Sequence, residues 1–206
     1  MLLLMIFISG VAIYQFLRGP YVFADDYLIA SASHAREITT SILLAFGNGL
    51  ADILVAVLLL PIFRKVEERL TWLYLILCIV NLVVIGLENH AAYELMSIGI
   101  NYVGADGNQG QLVQSGEIAY ARHEWMHYSY LLFSCFPVLL LYYLLYKGNL
   151  VPRLLAGAGI IASLLMLISM LSYFFDFQVY GGEFLLLPMG LAQLLLPLWI
   201  LVTGFK

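Results

Sequence analysis

The sequence predicts an all-α polytopic membrane protein with six transmembrane helices and both termini in the cytoplasm. Six apolar stretches follow one another in the 206-residue chain, and about 20 apolar residues suffice for a helix to cross ~30 Å of hydrocarbon. Hydrophobic residues make up 63% of the chain and charged residues 11%, with a mean hydropathy of +0.96. We therefore expect one membrane domain over residues 1–206.

The spans are predicted from the apolar runs and from the residues that interrupt them. They cover residues 1–17, 38–60, 70–87, 125–146, 154–175 and 184–205. Helix-stopping or charged residues separate them: Gly19 and Pro20; Pro61 with Arg64, Lys65 and Arg69; Lys147, Gly148 and Pro152; Gly181 and Gly182. The first run lacks a basic leader and a small-residue cleavage site, so we expect a retained helix.

The longest connection, residues 88–124, joins the third and fourth predicted spans. Its centre, residues 104–116, is rich in glycine, asparagine and glutamine, which is typical of a loop. Residues 115–122 are expected to begin the fourth helix before it enters the membrane.

Basic residues determine the predicted sidedness, because cytoplasmic loops carry an excess of lysine and arginine. Six of the nine basic residues lie on the side of the termini: Arg64, Lys65, Arg69, Lys147, Arg153 and Lys206. Only Arg18, Arg36 and Arg122 are assigned to the other side, together with most acids and all four histidines. We expect that side to face outward from a bacterial inner membrane.

The composition also limits the partners. A net charge of −4 provides no basic surface for nucleic acid. Cys78 and Cys135 both lie in apolar segments, where thiols usually pack as small side chains, so no disulfide framework is expected. The predicted partner is the lipid bilayer, and the large apolar surfaces would also suit a protein partner or a homo-oligomer.

A layer of polar residues is predicted inside the membrane. Counted from the cytoplasmic ends at 1.5 Å per residue, Asp52 lies ~12 Å deep and Asn48 ~18 Å deep, with Asn81 at ~16 Å and Gln193 at ~15 Å. An intramembrane carboxyl group costs roughly 2.5–3.5 kcal/mol on insertion scales and should face other helices. Such a layer serves either as interhelical hydrogen bonding or as a proton relay centred on Asp52.

A short histidine motif lies at the outer start of the fourth span. His123-Glu124-Trp125-Met126-His127 fits H-E-x-x-H, in which both histidines share one helix face and could hold zinc. Glu124 would then polarise a bound water for hydrolysis.

A catalytic zinc site needs a third protein ligand and an open position. The candidates on the same side are His90, Glu94, Glu88 and Asp176. Iron, copper or haem could use the same histidines, although the chain has no haem-attachment cysteine pair and no second copy of the Glu-x-x-His half-motif of di-iron proteins. The competing interpretation is that His123 and His127 are ordinary interfacial residues.

Several stretches resemble a bacterial family of small multi-pass membrane proteins catalogued only as a domain of unknown function. Ala51-Asp52 leads into the apolar run that ends at Pro61. His127 is followed by Tyr128, Tyr130, Leu131, Leu132 and Phe133, and residues 147–155 read KGNLVPRLL. The resemblance implies a six-helix fold and no established activity. Family members often carry an arginine in the third span, where this chain has Asn81, and the resemblance includes His127 but not His123 or Glu124.

The sequence is compatible with three functions. The first is a non-enzymatic accessory, structural or binding subunit. The second is a metal-dependent membrane enzyme that uses His123 and His127 with His90 or Glu94. The third is a small proton-coupled transporter centred on Asp52, although the two halves show no clear inverted repeat.

Overall fold

The computed structural model describes residues 1–105, 107, 109–175 and 182–205. Its α-helices are α1 (Leu2–Ala12), α2 (Gly19–Val22), α3 (Tyr27–Ser33), α4 (Ala35–Phe63), α5 (Glu68–Val103), α6 (Gln109–Lys147), α7 (Arg153–Phe174) and α8 (Leu187–Thr203). A π-helix, Ile13–Leu17, links α1 to α2, and a 3₁₀-helix, Gly182–Leu186, precedes α8. The predicted break at Gly181, the candidate ligand Asp176 and the basic Lys206 lie outside the described residues.

Six helical stretches of the described chain are long and apolar enough to cross a bilayer: Leu2–Val22, Ala35–Phe63, Glu68–Val103, Gln109–Lys147, Arg153–Phe174 and Phe184–Thr203. Each overlaps one predicted span, so the six-span all-α prediction is confirmed. Met1 and Phe205 line a common pocket, which places the two ends of the chain together. We call this the terminal end of the bundle and the opposite one the distal end.

The connection between the third and fourth spans differs from the prediction. The expected loop at residues 104–116 is wrong, because α5 continues to Val103 and α6 already begins at Gln109. With 36 and 39 residues, these helices extend for roughly 54 and 58 Å, against ~30 Å of hydrocarbon. Their distal parts are polar because they extend beyond the lipid, and a polar composition alone does not distinguish a loop from a solvated helix.

The buried apolar side chains of the described residues form three clusters, and the two largest reflect this division. The larger core lies towards the terminal end and includes Phe63, Tyr142, Val151 and Leu196. A smaller distal core joins α2, α3, α4, α5 and α6 through Val22, Leu28, Ile38, Leu95, Met96 and Ala119. The protein therefore consists of a lipid-embedded bundle with a packed helical extension at its distal end.

The first span enters the distal extension through an irregular turn. The amide of Arg18 donates to the Ile13 carbonyl at 2.8 Å, a five-residue spacing that widens the helix. A Cβ atom at Gly19 would lie 2.0 Å from the Tyr14 carbonyl oxygen, so the turn requires glycine. The chain continues directly into α2, and Arg18 is fully buried. Arg18, which follows the predicted span 1–17, therefore lies within the first helical stretch and not in the connection after it.

Candidate functional site: an intramembrane cavity and a buried charge network

The four residues of the predicted polar layer all line one cavity of about 390 Å³. Asn48 and Asp52 come from α4, Asn81 from α5 and Gln193 from α8, and residues of all six spans contribute to its wall. The volume falls within the range of pockets that bind small molecules in proteins. The structure therefore brings the layer together around a space, although its role stays a prediction.

Asn48 is the member of this layer with described hydrogen bonds to the first span. The Ser9 hydroxyl donates to Asn48 Oδ1 at 2.6 Å, and Asn48 Nδ2 donates to the Ile6 carbonyl at 3.4 Å. These bonds connect α1 to α4 across the membrane interior. Interhelical bonds of this kind contribute about 0.6 kcal/mol each on average.

Other polar groups on the cavity wall have no such partners. Asn81 is only 6% exposed and Tyr142 only 1% exposed. Neither the Asn81 Oδ1 atom nor the Tyr142 hydroxyl has a hydrogen-bond partner among the described residues. A buried polar atom left without a partner costs about 1–3 kcal/mol. The cavity therefore presents hydrogen-bonding groups that the described chain does not satisfy.

Asp52 lies on the same wall as Tyr74 and Cys78. No ion pair or hydrogen bond links its carboxyl group to another described residue, and the described lining of the cavity contains no lysine, arginine or histidine. Asp52 is thus the one ionisable acid in a wall otherwise made of amides, hydroxyls, a thiol and apolar groups.

A second, apolar pocket of about 370 Å³ adjoins this cavity at the terminal end. The two spaces share Leu3, Leu141, Leu196 and Pro197 in their walls. The remaining lining is also apolar and comes from α1, α4, α6, α8 and Phe205: Met1, Leu2, Val55, Leu58, Leu59, Ile62, Leu145 and Ile200. Together the two spaces form a cavity that carries several polar side chains and, towards the terminal end, a pocket with an apolar wall.

A buried charge network lies on the distal side of the cavity. Arg18 Nη1 and Glu88 Oε2 are 3.3 Å apart, and neither side chain is exposed. Arg18 also donates to the Ser41 hydroxyl at 3.0 Å and to Asn89 Oδ1. An arginine is therefore buried within the bundle as the counter-ion of a buried acid.

Glu88 has further partners. The Tyr14 hydroxyl donates to both of its carboxylate oxygens, at 3.0 and 2.9 Å, and His127 Nδ1 lies 2.8 Å from Oε1. Tyr14 also lines the cavity, so the network closes its distal side. The buried acid is thus balanced by a cation and several hydrogen bonds, as stable burial of charge requires.

The predicted metal ligands are only partly brought together. The rings of His123 and His127 lie 6.3 Å apart between centroids; His123 is fully buried and neither of its ring nitrogens has a described partner. His90 is exposed, and Glu94 pairs with Arg122 at 2.6 Å. No group of three or more His, Cys, Asp and Glu side chains in the described chain is arranged to hold a metal ion. A metal site that uses Glu124 as the base stays a prediction.

Sequence reasoning did not predict Arg18, Tyr14 and Ser41 as parts of a site. Their positions in the sequence could have indicated the pairing, because Arg18 directly follows one long apolar run and Glu88-Asn89 follows another. Opposite charges at the same predicted membrane level are candidates for pairing.

The helices and the cavity define a multi-pass α-helical membrane protein with an interior space whose mainly apolar wall carries a few polar side chains. Residues 1–204 match a domain of unknown function, DUF4386, and the chain belongs to that family. The resemblance predicted from the sequence to a family of unknown function is confirmed. No curated protein and no solved structure matches the chain.

Proposed function

We propose that this protein is a non-enzymatic binding protein of a bacterial inner membrane, which holds a small amphipathic molecule in the cavity among its spans. The observation that carries the proposal is the pair of unsatisfied groups on the cavity wall, Asn81 Oδ1 and the Tyr142 hydroxyl. A ligand that hydrogen-bonds to them would recover the cost of burying them.

The chemistry of the wall supports binding over catalysis. Its polar groups are mainly amides and phenols, which recognise ligands by hydrogen bonds and stay uncharged near neutral pH. General acid–base catalysis would need a titratable group placed against a reacting atom, and Asp52 is the one carboxyl group in the described lining. A protein partner or a homo-oligomer is compatible with this function.

The second candidate is a small proton-coupled transporter. The observation that favours it is the position of Asp52 on the wall of an intramembrane cavity, because ionisable groups in such positions often carry protons. It predicts a proton-coupled flux in proteoliposomes that Asp52→Asn abolishes. A binding protein predicts no such flux.

Extraction of a bound molecule tests the proposed function. The protein is purified with surrounding native lipid in a polymer disc, and extracts are compared by mass spectrometry with discs of whole membrane. Two cavity-filling variants are Gly190→Phe and Gly10→Phe, since both glycines line the cavity and a Cβ atom there meets nothing within 4 Å. The matched control is Gly47→Phe, an exposed glycine with equally open space.

We expect one compound close to one molecule per chain in the wild type and in Gly47→Phe, and its loss from Gly190→Phe and Gly10→Phe. Circular dichroism establishes that each variant is folded. Lipid ratios identical to those of bulk membrane, or equal retention by both folded cavity-filling variants, would overturn the proposal.

A further inference from the structure

We infer that the ligand is a single-chain amphiphile with a hydrogen-bond-donating head, an alcohol or an amine, and that its tail occupies the apolar pocket at the terminal end. This inference rests on the proposed function and specifies the chemistry of its site. It is drawn from three features: the acceptors on the cavity wall, the absence of an available cation in the described lining, and the adjoining apolar space.

The acceptors favour a donating head. Asn81 Oδ1 can only accept, and it has no donor among the described residues. Asp52 presents a second set of acceptor oxygens from the facing helix when ionised. An ammonium head placed between α4 and α5 could donate to both, whereas a hydroxyl head has one hydrogen and would donate to Asn81 Oδ1. A head that only accepts would leave Asn81 Oδ1 unsatisfied.

The charges disfavour an anionic head. The described lining contains the acid Asp52 and no basic residue. The arginine buried within the described bundle, Arg18, is fully inaccessible and already contacts Glu88, Ser41 and Asn89. A carboxylate or phosphate head would therefore lose its hydration without gaining a counter-ion, which is costly at low dielectric.

The apolar pocket accounts for the tail. Its wall is formed by aliphatic side chains, one proline and Phe205, and it shares Leu3 and Leu196 with the polar cavity. A chain extending from a head near Asn81 towards the terminal end would bury its methylenes there, away from water. A tail that moves from the bilayer into this pocket gains less free energy than one that moves from water, because the bilayer interior is already apolar. The head therefore provides the selectivity.

Three amphiphiles with the same tail test the inference: dodecylamine, 1-dodecanol and dodecanoate. Each is equilibrated with nanodiscs of zwitterionic lipid that either contain the protein or are empty, and the excess retained by the protein is measured. We expect the amine, the alcohol or both to be retained about tenfold more tightly than dodecanoate, which corresponds to one hydrogen bond of ordinary strength.

Variants separate the contributions of head and tail. Asn81→Leu should weaken retention of the amine and the alcohol severalfold, whereas Asn101→Leu, at an exposed asparagine of the same helix, should not. Asp52→Asn should weaken the amine alone. Leu2→Trp, at a residue that lines only the apolar pocket, should reduce retention of every head by filling the tail pocket, and Leu4→Trp, on the same helix but outside both linings, should not.

The outcomes distinguish the two proposals. Equal or tighter retention of dodecanoate, abolished by Gly190→Phe, would overturn the inference and leave a binding protein with a different head preference. Retention of no amphiphile above the level of empty nanodiscs, combined with no co-purifying compound, would overturn the proposed function itself. Retention of the amine or alcohol unchanged by Asn81→Leu would also contradict the inference.

Discussion

Arg18 of the first span and Glu88 of the third form an ion pair in which neither side chain is exposed, with 3.3 Å between Nη1 and Oε2. The pair lies where the lipid-embedded bundle meets the distal extension, and it is joined by Tyr14 and His127. Each charge is tolerated because the other is present, and removal of either one leaves a buried charge unbalanced.

The first prediction concerns this pair. Arg18→Met should lower the free energy of unfolding by about 3–5 kcal/mol, because Glu88 stays buried without its cation. The double variant Arg18→Met/Glu88→Leu should recover much of the loss, since both charges are then absent. Unfolding in mixed micelles at increasing denaturing detergent, followed by circular dichroism, measures the effect.

The exposed pair Arg64–Glu68 provides the control. Its atoms are closer, at 2.7 Å, but the side chains are 51% and 58% exposed. Solvent screens such pairs, so Arg64→Met should change stability little. Equal stability of Arg18→Met and Arg64→Met would contradict the assigned role of the buried pair.

The second prediction concerns the contact between α6 and α7. A Cβ atom at Gly159 would lie 2.1 Å from the ring of Tyr142, which is itself buried. Gly159→Ala should destabilise the protein by about 1–3 kcal/mol through overpacking, despite the higher helix propensity of alanine. Gly157→Ala, where the nearest atom is 3.9 Å away, is the control. Melting temperatures that fall no further for Gly159→Ala would count against this helix contact.

The third prediction concerns sidedness. If the termini are cytoplasmic, a membrane-impermeant maleimide should label Gln114→Cys in intact cells, and Lys65→Cys only after the membrane is opened. Both positions are exposed, whereas the native Cys78 and Cys135 are 3% and 1% exposed and should not react. The reverse labelling order would overturn the predicted orientation.

The fourth prediction concerns the short turn between the second and third spans. The Lys147 ammonium donates to Glu67 Oε2 at 2.7 Å and lowers the pKa of Glu67 below its ordinary value. Any stabilisation from this contact is therefore present above the unfolded-state pKa and is lost as the pH falls through the lower folded-state pKa. In Lys147→Gln the pKa of Glu67 should rise towards its ordinary value, as measured by carbon-13 NMR titration of labelled glutamate. In the control Lys65→Gln the same titration should give the same pKa for Glu67 as in the wild type. An unchanged pKa in Lys147→Gln would rule out the contact in solution.

The number of spans could be predicted from the sequence because a bilayer requires each span to be a long apolar run. Such runs can be recognised directly in the sequence. The grouping of Asn48, Asp52, Asn81 and Gln193 was also accessible, since helical rise converts position into depth. Whether such a layer encloses a space depends on how the helices pack. Packing is not encoded in any single segment.

The environment of Arg18 could not be predicted for a related reason. Gly19-Pro20 is a typical helix end, yet Pro20 here lies in the first turn of α2, a position that proline occupies readily. The π-helix Ile13–Leu17 precedes it, so the chain continues into α2 and the side chain of Arg18 is buried in the bundle. The end of α5 beyond residue 87 and the first residues of α6, 109–114, were not predicted as helix, because solvated helices and loops share the same polar residues.

The long hairpin of α5 and α6 also has a practical consequence for imaging. Because both helices are continuous well past the hydrocarbon, a small rigid domain fused through unbroken helices to Val103 of α5 and Gln109 of α6, in place of the residues between them, would be held clear of the micelle. A fiducial at that position would give this 206-residue chain the external feature that single-particle alignment requires.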